Sequence, residues 1–328
     1  MTLILTCLTK DYVVQASDRL LSYSDNRKKN DSNKALIYCN RFVFAYTGLA
    51  NIHDRYESSI DWAAEQLSKG KNLEDAVHYL KNRVTDLMNS NRIRRFHAHQ
   101  RQLAFVGAGF DEAEAGKKRK RRALRIVISN FIEEDGTLLN QPRDMFSVQF
   151  DPLPENRLAE LLVAGQRLSP EAKQAQERQA QLTDILKRCF KRKKGPETIG
   201  IILTQEILAV AKENEYVGSN IMCTFMPRAS RPFDGRVNHI GGILLQFNSE
   251  LHQFEPAEPV SLRDRFVILP PFDDPRFIYV SEDNKALPYH SVVHVSPGKV
   301  NSPISIQNVS LIPPPFLRVS DAQADTTP

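Results

Sequence analysis

The first fifty residues constrain this chain most, because they contain four strand-forming runs separated by short polar turns. The runs are rich in β-branched and aromatic residues and cover residues 2–8, 12–18, 33–38 and 41–48. A Lys-Asp turn follows the first run, a polar loop over residues 22–32 follows the second, and Cys-Asn-Arg follows the third. This pattern is typical of hairpins and predicts an antiparallel sheet.

Four residues of this stretch lie where the predicted strands begin or end. Thr2 begins the first strand, Asp18 ends the second, Lys34 begins the third and Gly48 ends the fourth. Because antiparallel neighbours place the start of one strand beside the end of the next, we expect all four at one edge of the sheet.

These residue types suit acyl-transfer chemistry if the bond after Met1 is cleaved. A free N-terminal threonine carries a nucleophilic hydroxyl and an amine that acts as a general base. The reference pKa of an α-amine is about 7.7–8.0, and a nearby lysine ammonium lowers it further. Asp18 would hold Lys34 charged and in place, and the Gly48 N–H would stabilise an oxyanion.

The same stretch resembles the N-terminus of proteasome-type β-subunits, the threonine members of the N-terminal nucleophile hydrolases, and within them the bacterial kind. The spacings from Thr2 to Asp18, Lys34 and Gly48 match those of the family without a gap. Flanking residues match in kind, with Ala-Ser-Asp-Arg, Asn-Lys and Tyr-Thr-Gly-Leu-Ala around the last three.

The resemblance implies an α+β fold, a four-layer αββα sandwich formed by residues 1–250. It also implies a threonine-type peptidase with catalytic residues Thr2, Asp18, Lys34 and Gly48, no metal or organic cofactor, and assembly as a homo-oligomer. Within the helical part, the family's Asp-x-x-Ser-Gly turn corresponds to residues 214–218. Asn214 and Val217 stand in place of the Asp and the Ser, so the sequence departs from the family there.

Other interpretations stay open. One alternative is a hydrolase that uses the same site on small-molecule amides. Another is a catalytically silent assembly subunit. Asp18 and Lys34 would then form a structural ion pair, and Thr2 would be an ordinary strand residue. The basic run over residues 117–122 would bind nucleic-acid phosphates, but without interleaved aromatic residues a solvated loop is the favoured interpretation.

Helical periodicity predicts the elements that cover the sheet. Apolar spacing predicts helices over residues 52–68 and 73–88, with Asn72 as the N-cap of the second. Residues 151–214 are predicted to be helical, with one helix starting at Ser169 and another over residues 198–212. Further strands are predicted at residues 102–107, 123–132, 145–150, 221–226 and 243–247.

Composition limits the remaining possibilities. The net charge of +5 and charged fraction of 25% are ordinary for a globular protein, and no apolar run is long enough to span a membrane. The cysteines lack metal-binding spacing, which favours reduced thiols in a cytoplasmic protein.

Residues 251–328 are rich in proline and predict a β extension with a disordered tail. His290 and His294 share a strand face there, but without further ligands they do not predict a metal site.

We expect Met1 to be removed, because threonine is small enough at the second position for ordinary aminopeptidase trimming. The intact mass of protein purified from its native host should lack one methionine. A mature mass that still includes Met1 would contradict the free-amine chemistry.

Overall fold

The computed structural model describes residues 2–22, 28–29, 32, 34–38, 41–53, 58–67, 69–70, 72–113, 120–133, 137–139 and 141–228, together with short strands between residues 243 and 312. The fold is mixed α+β with antiparallel sheets, which confirms the predicted class. Its strands are β1 (Leu3–Thr9), β2 (Tyr12–Asp18), β3 (Leu21–Ser22), β4 (Lys28–Lys29), β5 (Ala35–Tyr38), β6 (Phe42–Gly48), β7 (Leu103–Ala113), β8 (Lys120–Ser129), β9 (Ser147–Pro152), β10 (Ala159–Gly165), β11 (Ile221–Pro227), β12 (Ile243–Asn248), β13 (Gln253–Pro256), β14 (Phe266–Val267), β15 (Val292–Val295) and β16 (Val309–Ile312). Its helices are α1 (Ser59–Leu67), α2 (Leu73–Met88), α3 (Asn91–Arg94), a 3₁₀ turn (Ala98–Arg101), α4 (Ala172–Lys191) and α5 (Pro196–Glu213).

The first sheet has β1 and β2 near its centre. Across the described residues its strand order is β10-β1-β2-β11-β12-β13, and all neighbours are antiparallel. Every residue of β1 is buried, so this strand is covered on both faces. Antiparallel pairing of β1 with β2 brings the start of one beside the end of the other, as predicted.

The expectation that all four site residues lie at one edge of a single sheet is wrong. The second sheet contains the other two predicted strands of the N-terminal stretch. Its order within the described residues is β5-β6-β7-β8-β9. Gly107 on β7 lies under the ring of Phe44 on β6, and an added Cβ there would come within 2.4 Å of that ring. The close approach of strand and ring therefore requires glycine.

Apolar clusters join the sheets to the helices and to each other. One cluster packs the second sheet against α1 and α2, and another packs the first sheet against α4 and α5. Two further clusters contain residues of both sheets, such as Ile4 of β1 with Ala45 of β6, and Val13 of β2 with Val43 of β6. The four-layer sandwich itself stays a prediction.

The first helices show how local capping sets the boundaries. Helix α2 is confirmed, and the side chain of Asn72 accepts from the N–H of Asp75 at 2.8 Å. Helix α1 begins at residue 59 and not at residue 52. Ser58 explains the later start, because its N–H donates to the carboxylate of Asp61 at 3.1 Å and its hydroxyl donates there at 2.6 Å.

The prediction that residues 151–214 are all helical is wrong. Residues 159–165 form β10, which pairs with β1 along its full length. A short apolar run ending in glycine is compatible with either a helix or a buried strand, so its pairing partner decides. The N-terminal loop over residues 22–32 also contains pairing, because β3 and β4 form a small hairpin.

The remaining helices differ from prediction mainly at their starts. Helix α4 begins at residue 172, because the Ser169 hydroxyl contacts the Gln174 side chain and does not cap the helix. Helix α5 begins at Pro196, which occupies the first turn, where its missing N–H costs nothing.

The C-terminal region is described only in part. Strand β13 pairs with β12 and so extends the first sheet past residue 250. Strands β14, β15 and β16 form a small antiparallel sheet. The predicted disordered tail lies outside the described residues, because the structure describes nothing after residue 312. Among the helices that the structure describes, none is both long and apolar enough to cross a lipid bilayer.

Candidate active site

Three of the four predicted site residues contact one another in the protein interior. The Nζ of Lys34 donates hydrogen bonds to Thr2 Oγ1, to the Leu20 carbonyl and, at 3.2 Å, to Asp18 Oδ1. Lys34 and Asp18 have no exposed side-chain surface, and Thr2 is 3% exposed. The structure therefore brings the Thr2 hydroxyl, the Lys34 amine nitrogen and the Asp18 carboxylate together.

The carboxylate of Asp18 is held by backbone donors as well as by Lys34. It accepts from the N–H of Leu3 at 2.8 Å, Leu20 at 3.0 Å and Gly218 at 3.2 Å. Such bonds fix the orientation of a buried carboxylate. The Asp18 carboxylate therefore faces Lys34 in one defined orientation.

The environment of Lys34 opposes its charge. Burial lowers the pKa of Lys34 from its ordinary value of 10.5, while the charge of Asp18 and its hydrogen bond act in the opposite direction. Burial is the larger effect, so the pKa of Lys34 lies below that of an exposed lysine. A lysine of lowered pKa beside a hydroxyl is suited to accept its proton.

The backbone of Thr2 is also fixed. Its carbonyl oxygen accepts from the hydroxyl of Thr47 at 2.8 Å and from the N–H of Gln166 at 3.1 Å. Its peptide bond to Leu3 is held on the other side by Asp18. Sequence reasoning missed Thr47 and Gln166. The position of Thr47 directly before Gly48, in a stretch already singled out, was a signal that could have identified it.

Gly48 ends β6 with a backbone conformation that favours glycine. Its φ is +106°, and an added Cβ would lie 2.0 Å from the carbonyl oxygen of Gln102. The next N–H, that of Leu49, donates to the same carbonyl at 2.9 Å. The glycine is therefore required by the turn, and it follows directly after the residue that binds the Thr2 carbonyl.

A cleft of about 560 Å³ lies next to residues that contact Thr2 and Gly48. It includes Gly165 and Gln166, which adjoin Thr2, and Gln102, which adjoins Gly48. The volume is in the range of small-molecule pockets. The remaining lining residues are Phe131, Leu138, Leu139, Arg167, Ser169, Pro170, Glu213, Asn214, Glu215 and Tyr216.

The segment over residues 214–218 supports the site through its backbone and through the side-chain amide of Asn214. The side chain of Asn214 donates to Gln166 Oε1 at 3.2 Å and accepts from the Tyr216 N–H at 3.0 Å. Val217 is buried, and the Gly218 N–H bonds to Asp18. Although Asn214 and Val217 replace the family's Asp and Ser, the segment still contacts the site. Its Asn214 side chain bonds to Gln166, and its Gly218 N–H bonds to Asp18.

The other chemical groups singled out in the sequence are less suited to catalysis. Burial raises the pKa of the Cys7 thiol to about 12 and also raises that of Cys223, so neither thiol is activated. Within the described ranges no cluster of three or more metal-type ligands is found. His290 and residues 117–119 of the basic run lie outside the described residues, while residues 120–122 belong to β8.

The chain shows only weak similarity to known proteins. No family model matches the chain, and no curated protein matches it. Similar solved structures include Anbu (ancestral beta-subunit) from Yersinia bercovieri, with 12% identity, 69% of this chain and 81% of that chain covered, and a TM-score of 0.40. Another is an Anbu (Gly-1) mutant from Hyphomicrobium sp. strain MC1, with 13% identity, coverage of 69% and 82%, and the same TM-score.

These findings correct the family assignment. The sequence predicts a proteasome-type β-subunit of the bacterial kind, and that assignment is wrong. No family model matches the chain, and the similar structures are Anbu proteins at 12–13% identity. The spacing of Thr2, Asp18, Lys34 and Gly48 does not by itself establish membership.

The lowered pKa of Lys34 predicts a specific pH dependence of stability. Between its folded-state pKa and 10.5 the unfolded chain binds the proton more strongly, so the free energy of unfolding should rise with pH in that window. Urea denaturation across this range should show a shallower rise for Lys34→Met. Lys69→Met, which removes a surface pair with Glu65, should keep the wild-type slope. Equal slopes for wild type and Lys34→Met would contradict the inferred shift.

Proposed function

We propose that this chain is an N-terminal threonine hydrolase that cleaves amide bonds through an acyl-enzyme ester. The contact of the Thr2 hydroxyl with the buried Lys34, which is itself paired with Asp18, is the observation that carries this proposal. A buried nucleophile, base and orienting group in hydrogen-bond contact are the parts that covalent catalysis requires. The proposal includes cleavage of the bond between Met1 and Thr2; Met1 lies outside the described residues.

In the first half of the reaction, the Lys34 side chain in its deprotonated form accepts the proton of Thr2 Oγ1 as that oxygen attacks the amide carbonyl carbon. The carbonyl oxygen becomes negatively charged, and the Gly48 N–H is proposed to stabilise it. The carbon–nitrogen bond then breaks, the proton passes to the leaving amine, and the acyl group stays on Thr2 as an ester.

Water completes the cycle. The free α-amine of Thr2 accepts a proton from water as the water oxygen attacks the ester carbonyl. The ester bond breaks, Thr2 Oγ1 regains a proton and the carboxylic acid leaves. We assign the first proton transfer to Lys34 and not to the α-amine, because Lys34 contacts the hydroxyl and burial lowers its pKa.

The substrate is proposed to lie in the cleft beside Gly165 and Gln166. Its lining includes the apolar residues Phe131, Leu138 and Leu139 and two residues with carboxamide groups, Gln102 and Gln166. Amide groups can pair with a peptide backbone, and an apolar wall can bury a side chain. A peptide is therefore the favoured substrate, and a small-molecule amide is the alternative.

Substitutions of Thr2 test the nucleophile. Thr2→Ala removes the hydroxyl, so hydrolysis of fluorogenic peptide amides should fall to background. Thr2→Ser keeps a hydroxyl and an amine, so measurable activity should survive. Circular dichroism should show that each variant is folded. If folded Thr2→Ala hydrolyses a substrate at the wild-type rate, Thr2 is not the nucleophile.

Substitutions of Lys34 test the base in the same assay. Lys34→Ala should lower kcat by at least about 10³-fold, because residues that act as a unit lose function together. Lys34→Arg should not rescue activity, since a guanidinium keeps its proton. Lys69→Ala is the matched surface control and should keep the wild-type kcat. Substantial activity in Lys34→Arg would mean that Lys34 supplies charge and is not the base.

A further inference from the structure

We infer that Thr47 is a positioning residue that sets the Thr2 nucleophile relative to the oxyanion donor at Gly48. The inference rests on the proposed function and adds a residue that the spacing of Thr2, Asp18, Lys34 and Gly48 does not include. It is carried by one hydrogen bond between the two sheets and by a glycine that keeps the space for it.

The hydrogen bond joins the two sheets at the site. Thr47 lies in β6 of the second sheet, and Thr2 directly precedes β1 of the first sheet. The Thr47 hydroxyl donates to the Thr2 carbonyl oxygen at 2.8 Å, and Thr47 has no exposed surface. The bond therefore links the residue before Gly48 directly to the backbone of the nucleophile.

Gly165 keeps the space in which this bond forms. An added Cβ at Gly165 would lie 1.9 Å from the Thr2 carbonyl oxygen and 2.4 Å from Thr47 Oγ1. Its φ of +86° is also a conformation that side chains rarely adopt. Three strand ends therefore meet without a side chain between them, which fixes the distance from Thr2 to the end of β6.

The geometry explains why this bond matters for catalysis. The nucleophile belongs to one sheet and the proposed oxyanion donor to the other, so a shift between the sheets separates them. Lys34 restrains the Thr2 side chain, whereas Thr47 restrains its backbone. With both restraints, Thr2 Oγ1 keeps one position relative to the turn at Gly48. A misplacement of about 1 Å can cost about 100-fold in rate.

The Thr47 side chain can be altered with little effect on the fold. Valine matches the β-branched shape of threonine but lacks the hydroxyl. In Thr47→Val the Thr2 carbonyl oxygen would still accept from the Gln166 N–H, so it would not lose its last partner. Because Thr47 is fully buried, its replacement should not change substrate contacts directly.

Steady-state kinetics on a fluorogenic peptide amide tests this role. Thr47→Val should lower kcat by about 10- to 100-fold while KM stays within about twofold, since positioning acts on the reacting atoms. Thr47→Ser keeps the hydroxyl and should stay within about threefold of wild-type kcat. The pH dependence of kcat/KM should be unchanged in Thr47→Val, because Lys34 and Asp18 are intact.

Thr224→Val provides the matched control. Thr224 is a buried threonine of β11 whose hydroxyl has no hydrogen-bond partner among the described residues. Its replacement should leave kcat at the wild-type value. If thermal unfolding shows that Thr47→Val is not folded, the same comparison is made between Thr47→Ala and Thr47→Ser.

The outcomes separate this inference from the proposed function. Wild-type protein that lacks Met1 and hydrolyses no amide substrate would overturn both. An active wild type with unchanged kcat in folded Thr47→Val would overturn only the role of Thr47. An equal loss of kcat in Thr47→Ser and Thr47→Val would also overturn it, since the hydroxyl would then not be the group responsible.

Discussion

The buried pair of Lys34 and Asp18 is the interaction on which the rest of the site depends. Removing two charges from water is costly, and a buried pair is tolerated only with good geometry and additional hydrogen bonds. Here the Asp18 carboxylate accepts three backbone N–H groups, and Lys34 Nζ reaches Asp18, the Leu20 carbonyl and the Thr2 hydroxyl. Breaking such a pair by removing one partner typically costs about 3–5 kcal/mol. The cost of burial leaves Lys34 with a lowered pKa, which is a property that a proton acceptor needs.

The two sheets supply different parts of the site. Thr2 and Asp18 lie at neighbouring ends of β1 and β2, whereas Lys34 and Gly48 lie at the ends of β5 and β6. Each sheet alone therefore contains an incomplete set of groups. Packing of the sheets, through clusters that contain Ile4 with Ala45 and other apolar pairs, brings the set together. Loss of packing between the sheets would affect the chemistry even where no site residue is changed.

Local sequence determined much of the N-terminal architecture, and long-range pairing determined the rest. Alternating β-branched residues and tight turns predicted the ends of β1, β2, β5 and β6, but not that these strands belong to two sheets. Thr2, Asp18 and Lys34 meet because the two sheets pack against each other. Residues 159–165 were predicted to be helical, because a short apolar run does not reveal that it will pair with β1. Thr47 and Gln166 were missed for the same reason. Each acts through a hydrogen bond to the backbone of a distant residue, which side-chain type and spacing do not encode.

In the proposed reaction, Thr2 Oγ1 forms a covalent ester with the substrate acyl group. The most direct measurement is peptide mapping by mass spectrometry after reaction with a slowly turned-over activated peptide ester and quenching in acid. We expect one acyl group per chain, attached to the peptide that begins with Thr2, and its release when the protein is returned to neutral pH. Stoichiometric acylation at a different residue, or hydrolysis of substrate without any acyl group on Thr2, would contradict it.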